Sequence, residues 1–385
     1  MTQRPNQTPT WAEVPTFGNP GAVEPNGAKK LNGFNFTEKP GAGVHNFLFQ
    51  LLSRWLAYFI ERVDGITFTF TTVNTGVAAG GFVSIAKLRA GGADEALLGH
   101  TSIGGKIRYS PDGISLVSRD LPSATANLQA LACDNDGTRA ARWMAGGFDG
   151  ANAMIYRSSD RGQTWALVSP AGANGISRIQ HVSGGNWLAV GSISIVRTVN
   201  NGLDAWAAPV AGSLTVTDMH WDKVLGRGLT VRPGIFPITA VGLQSNNLGA
   251  TWTTFTIPAG MNNIVDSFFG VMSDGVVWVL SSTAGMFWTT DSNLNVWTAC
   301  VMIGDGDFTQ KPERIRYDAD GGWIAFDGPF SGTAETTVWA SRDGKTWTRK
   351  TRLLGSQQSL EARFVNGSWI IGRANGRLSI GIRMG

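Results

Sequence analysis

One short turn recurs through most of this 385-residue chain and narrows what it can fold into. The turn reads S-S-D-R-G-Q-T-W at Ser158, Asp160, Gly162, Thr164 and Trp165. It returns as S-N-N-L-G-A-T-W, with Asn247, Gly249 and Trp252, and one residue shorter as S-R-D-G-K-T-W, with Asp343, Gly344 and Trp347. Looser copies are S-P-D-G-I-S-L (Ser110 to Leu116), T-V-N-N-G-L-D-A-W (Thr198 to Trp206) and T-T-D-S-N-L-N-V-W (Thr289 to Trp297). The six copies end at 116, 165, 206, 252, 297 and 347, so they follow one another at intervals of 41 to 50 residues.

A second element keeps step with the first: an apolar strand after a Gly or Asn turn. It reads ALLGH from 96, RWMAGG from 142, NWLAVG from 186, GLTVRP from 228, VWVLSS from 277, GWIAFD from 322 and SWIIGR from 368. A unit of about 45 residues holds four short antiparallel strands, the period of a propeller blade, and seven such units need about 315 residues. Ile66 to Gly385 supplies 320. Seven strands against six turns leave the last unit one strand short, and the isolated strand ITFTFTT (Ile66 to Thr72) can fill that place. The fold predicted is mainly β: a seven-bladed propeller over 65–385, closed by its N-terminal strand against the last blade. Closure removes the open edges of a linear array.

The turn chemistry suits this placement. The Asp or Asn side-chain oxygen and the Ser or Thr hydroxyls satisfy backbone N–H groups, Gly accepts a positive φ, and Trp offers a large apolar surface for packing between sheets. Glycine is accordingly abundant, 50 of 385 residues. It has no G-x-y period, which excludes collagen.

Net charge is +4, from 32 basic and 28 acidic residues, too small and dispersed for a nucleic-acid footprint. No apolar run approaches the roughly 20 residues that span a bilayer, so membrane insertion is not expected. Cys133 and Cys300 are the only cysteines and read as core thiols; with no CxxC or HExxH, neither a metal nor another cofactor is expected. His45, His100, His181 and His220 are scattered and read as structural or surface side chains. Arg342, Lys345, Arg349, Lys350 and Arg352 form a dense basic group, read either as a solvated turn and strand edge or as a contact for acidic glycan. The N-terminus has no basic and apolar leader pattern, so no secretory signal is expected.

Residues 1–64 differ in kind. Six prolines fall within the first 40 residues, which predicts an extended arm ordered against a partner. From Asn46, a plausible N-cap, Leu48, Leu52, Trp55, Phe59 and Val63 recur at helical spacing, with Gly65 as a stop. This amphipathic helix either pairs with copies of itself, as a trimer or dimer, or packs on the domain that follows.

On the recurring S-x-D-x-G-x-T-W turn, residues 66–385 resemble the Asp-box, or bacterial-neuraminidase-repeat, proteins that include the sialidases. The resemblance implies a propeller in which Ser158, Asp160, Gly162, Thr164, Trp165, Asn247, Gly249, Trp252, Asp343, Gly344 and Trp347 are structural. It does not imply an enzyme, since the early F-R-I-P motif of the sialidases does not occur. Val231-Arg232-Pro233 is the nearest string, and only Tyr317, close to Glu313, Arg314 and Arg316, approaches the nucleophile pattern. No catalytic residue is assigned. The E-R-I-R-Y-D alternation reads as a strand with its basic side chains on one face.

The stretch K-K-L-N-G-F-N-F-T-E-K-P-G-A-G-V-H-N-F-L-F-Q-L-L-S-R-W-L-A-Y-F-I, through Phe34, Pro40, Asn46 and the helix, resembles a segment near the N-termini of tailed-bacteriophage virion proteins, especially tail fibres. That resemblance implies a structural virion protein made in the host cytoplasm and anchored through Phe34, Pro40, Asn46, Leu48, Leu52, Trp55 and Phe59. Its partners would be other virion proteins, itself and a host-surface glycan; a collar, head-fibre or capsid-decoration protein without host ligand is the alternative.

Overall fold

Each apolar run that the sequence marks as a strand is extended, buried, and flanked by partners running the opposite way. The computed structural model describes residues 67–384, without connecting segments such as 76–80, 135–141, 169–174, 233–240, 304–311 and 328–335. The arm and helix expected in residues 1–64 lie outside the described residues. Residues Phe68–Arg383 form one compact unit, and the described residues contain no α-helix.

The strands are β1 (Thr67–Asn74), β2 (Phe82–Ala90), β3 (Ala93–His100), β4 (Ile107–Ser110), β5 (Val117–Ser118), β6 (Ala126–Cys133), β7 (Trp143–Asp149), β8 (Asn152–Ser158), β9 (Ala166–Leu167), β10 (Ile176–Ser183), β11 (Asn186–Gly191), β12 (Ile195–Thr198), β13 (Ala207–Val210), β14 (Met219–Asp222) and β15 (Arg227–Arg232). They continue with β16 (Val241–Ser245), β17 (Thr253–Phe255), β18 (Phe268–Ser273), β19 (Trp278–Ser282), β20 (Gly285–Thr289), β21 (Thr298–Ala299), β22 (Val301–Ile303), β23 (Arg314–Asp318), β24 (Gly322–Phe326), β25 (Thr336–Ser341), β26 (Thr346–Leu353), β27 (Ser359–Val365), β28 (Ser368–Arg373) and β29 (Arg377–Met384).

They form seven sheets. Blades 1 to 5 are the consecutive sets β2 to β5, β6 to β9, β10 to β13, β14 to β17 and β18 to β21; blade 6 is β23 to β26 with β22 added outside β26. Blade 7 runs β27, β28, β29, β1 from the inside out, so the N-terminal strand completes the last blade. The first strands β2, β6, β10, β14, β18, β23 and β27 lie side by side in that order, and β27 lies against β2, which makes the ring closed. At the seam, Asn366 and Asp94 exchange hydrogen bonds: Asp94 N donates to Asn366 Oδ1 (2.8 Å), Asn366 N to Asp94 Oδ2 (3.0 Å) and Asn366 Nδ2 to Asp94 O (2.9 Å).

The core sits between blades. Leu97, Leu128, Trp143 and Tyr156 of blades 1 and 2 share one apolar cluster, and Met144, Ile179 and Trp187 of blades 2 and 3 another. All seven runs expected as apolar strands are second strands of their blades, and five of them bring Trp143, Trp187, Trp278, Trp323 and Trp369 to 0–2% exposure. The tryptophans of the recurring turns pack less deeply than the sequence suggests: Trp347 is fully buried and Trp206 nearly so, whereas Trp165, Trp252 and Trp297 are partly exposed. The strand indoles fill the inter-blade space first, and those turn indoles lie at its outer margin. The basic group around Arg349 lies on the turn and last strand of blade 6. Its strand, β26, is covered by the parallel β22 only at Thr346–Thr348, so no pairing to β22 extends to Arg349, Lys350 and Arg352 on the strand's outer side.

Candidate functional site

All six recurring turns join the third strand of a blade to the fourth, so they lie one per blade and do not converge on a common point. Ser158 Oγ donates to Asp160 Oδ1 (2.7 Å) and accepts from Gly162 N (2.8 Å), while Asp160 Oδ1 accepts from Thr164 N (2.9 Å). Asn247 takes the same place, accepting from Thr251 N (3.0 Å), and Asp343 accepts from Lys345 N and Thr346 N (2.9 Å each). Gly162, Gly249 and Gly344 have φ of 76°, 77° and 69°. Burial opposes ionisation of Asp160, but the hydrogen bonds from Thr164 and Ser158 outweigh it and hold the carboxyl below its ordinary range. Phe34, Pro40, Asn46, Leu48, Leu52, Trp55 and Phe59 lie outside the described residues.

Functional chemistry converges instead on the axis, where the first strands meet. A cavity of about 240 Å³ there takes lining residues from every blade: Lys87, Cys133, Gln180, His220, Met272, Tyr317 and Arg363, from blade 1 to blade 7 in turn. Part of its wall is a largely buried ionic network whose members enter from four blades. Arg178 on β10 meets Asp218 Oδ1 (2.7 Å) and Glu361 Oε2 (2.6 Å). Arg316 on β23 grips Glu361 through Nε and, at 2.6 Å, through Nη2, and reaches Asp218 Oδ2 at 3.4 Å. Arg363 on β27 adds a contact to Glu361 Oε1 at 3.2 Å. Asp218, Arg316 and Glu361 are 2%, 3% and 0% exposed.

Removing carboxylates from water is costly, and only close, multiply bonded counter-charges offset it. Burial opposes ionisation of Glu361, but Arg316, Arg178 and Arg363 outweigh it and hold the carboxyl well below its usual range. Asp218 is lowered likewise, burial being outweighed by Arg178, Arg316 and Arg314. Burial also pushes Arg314 and Arg363 down to about 10, although the two carboxylates pull the other way. Three guanidiniums thus contact two carboxylates. Burial likewise lowers the His220 imidazole to about 4, against Asp222 and Asp218, so the ring is neutral near pH 7.

Two sequence expectations gain detail here. Arg314 and Arg316 do share one strand face, but that face turns to the axis, where Arg316 is buried. Cys133 packs against the apolar cluster of blades 1 and 2 and also lines the cavity, and Cys300 packs against that of blades 5 and 6 with its thiol pushed up to about 12, chiefly by burial. Among the described residues no three His, Cys, Asp or Glu side chains are placed to hold a metal ion.

The closed ring and its axial, arginine-rich cavity define a seven-bladed β-propeller. Solved structures agree on that class: "YCF48 bound to D1 peptide" matches with a TM-score of 0.58 at 12% identity, over 81% of this chain and 96% of that one. YCF48 from Cyanidioschyzon merolae matches at 0.57 and 14%, over 82% and 98%, and the WD40 β-propeller domain of Doa1 at 0.55 and 12%, over 82% and 97%. No protein-family model and no curated protein matches the chain. At these identities the likeness is one of fold.

Proposed function

We propose that the chain is a structural protein of a tailed-bacteriophage virion, a tail fibre or tail-associated adhesion protein whose Asp-box propeller is a binding module rather than an enzyme. Residues 1–64 anchor it to other virion proteins and bring copies together as a trimer or dimer, and the propeller presents a surface to a host glycan or a neighbouring protein. The observation that carries the binding reading is the axial cavity, which every blade lines with at least one side chain. A propeller of this class solved with a peptide in place, YCF48 with the D1 peptide, supports it by analogy.

A hydrolytic role of the sialidase kind would use Tyr317, which lines the cavity beside Arg316. A nucleophilic phenol needs its pKa lowered. Burial and the nearby Asp274, Asp318 and Asp320 raise that of Tyr317 instead.

Two experiments test the proposal. Deleting residues 1–64 is expected to abolish incorporation into particles, and normal incorporation would refute the anchor. A fluorogenic sialoside is expected to survive incubation with the protein, and turnover that disappears in Tyr317→Phe would replace the binding reading with an enzymatic one.

A further inference from the structure

We propose that the axial cavity is a binding site for a compact oxyanion, a carboxylate or phosphate group carried on a small ligand, with Arg363 as its principal donor and Arg178 beside it. The inference stands apart from the virion assignment, because it concerns only what the channel of this propeller can hold.

Three observations converge on it. The contacting network is unbalanced in charge: Arg178, Arg316 and Arg363 share the two carboxylates of Asp218 and Glu361, so this group of five carries one more positive charge than negative ones. Placement is the second. Among the guanidiniums bonded to Glu361, Arg316 is spent on its two carboxylates and is 4% exposed, and Arg178 is 12% exposed; Arg363 is 31% exposed and lines the cavity. Arg363 commits Nη1 alone, to Glu361 and to the carbonyl of Ala362, which leaves Nε and Nη2 for a ligand. A guanidinium fork of that kind matches a carboxylate or phosphate through two parallel hydrogen bonds.

The third is room. A volume of about 240 Å³ equals roughly eight waters at about 30 Å³ each, enough for an oxyanion and part of the group that bears it. His220 lines the same space as a built-in reporter. Its ring packs edge-on to Trp278 at 5.7 Å and approaches Gln180, with Asp218, Asp222, Arg316 and Arg363 as its charged neighbours. An anion seated on Arg363 offsets the two arginines and raises the His220 pKa.

The test is calorimetric titration of the full chain at low ionic strength with inorganic phosphate and, separately, with galacturonate, alongside NMR titration of His220. Saturable binding of either probe, with a rising melting midpoint and an upward His220 shift, is the expected result. Phosphate alone would assign a phosphate group and galacturonate alone a carboxylate. Arg363→Gln is expected to weaken binding at least tenfold in protein that remains folded, while Arg342→Gln, on a turn of blade 6, leaves affinity unchanged. Should Arg363→Gln not fold, Arg363→Lys keeps the charge, loses the fork, and is expected to bind more weakly. No saturable binding of either probe by the native chain, or undiminished binding by the folded Arg363 variant, would overturn the proposal.

Discussion

Arg178 and Glu361, 183 positions apart in the chain, meet at 2.6 Å on the axis of the propeller and tie blade 3 to blade 7. Arg316 closes the same group from blade 6 and Asp218 from blade 4. The contact is buried and multiply bonded, so it falls outside the class of surface ion pairs that contribute little.

Glu361→Gln leaves Arg178, Arg316 and Arg363 without their shared counter-charge. We expect a loss of about 3–5 kcal/mol, the range for breaking one side of a buried pair, read from the urea midpoint. The double change Glu361→Leu with Arg316→Met is expected to cost less than Glu361→Gln alone. An equal or larger cost would mean that the network stabilises beyond its pairing.

Stability is expected to fall between pH 6.5 and about 4. His220 has its folded pKa lowered to about 4 from 6.5, so within that window the unfolded chain holds the extra proton. The contribution is fully present above the unfolded value and is lost as pH drops toward the folded one, a loss on the order of 3 kcal/mol at its limit. His181, also lowered by burial, adds the same sign. Asp218 and Glu361 lose their contributions only at still lower pH, because both carboxyls are held below their ordinary range. Urea midpoints at pH 7 and pH 5 check this, and the drop is expected to shrink in His220→Gln.

In the turn of blade 2, Asp160→Ala removes the acceptor for Thr164 N and the partner of Ser158 Oγ. A loss of about 1–2 kcal/mol follows from hydrogen bonds to an ionised acceptor. Asp160→Asn is expected to cost under about 1 kcal/mol, since Asn247 fills the same position in blade 4. Thermal melts of the two variants distinguish these outcomes.

Two glycines separate strain from crowding. Gly249 (φ 77°) and Gly367 (φ 82°) share a left-handed backbone. A Cβ at Gly249 would collide with the fully buried Leu188 side chain of the preceding blade, whereas one at Gly367 meets nothing within 4 Å. Gly367→Ala is expected to cost about 1–2 kcal/mol for its φ alone. Gly249→Ala should exceed it by a further 1–3 kcal/mol for overpacking, on the order seen in filled cores.

The ring was legible in the sequence because its repeated parts have local chemistry. Ser158, Asp160 and Gly162 make a turn wherever they occur at that spacing, and Trp187-Leu188-Ala189-Val190 reads as a buried strand by itself. The lone strand near residue 67 could be matched to the missing fourth strand by counting alone. The left-handed Arg161, Leu248 and Leu294 were not legible, since none of these residue types prefers that conformation. They belong to the longer turns. The shorter S-R-D-G-K-T-W and S-P-D-G-I-S-L place only Gly344 and Gly113 there.

The axial site escaped notice for a different reason. Five of the seven first strands carry charged residues, as in I-S-R-I-Q-H, E-R-I-R-Y-D and L-E-A-R-F, and alternation of that kind ordinarily marks a solvent face. Only the closure of the ring turns these faces toward one another. The available signal was positional: Arg178, Arg316 and Glu361 all stand third in the first strand of their blades, a coincidence that appears once the strands before each second-strand run are aligned.

The outermost strand of blade 7 is also the one through which the preceding 66 residues join the ring. Its three blade partners come from the far end of the propeller sequence, so the ring is sealed only once its first and last strands have met.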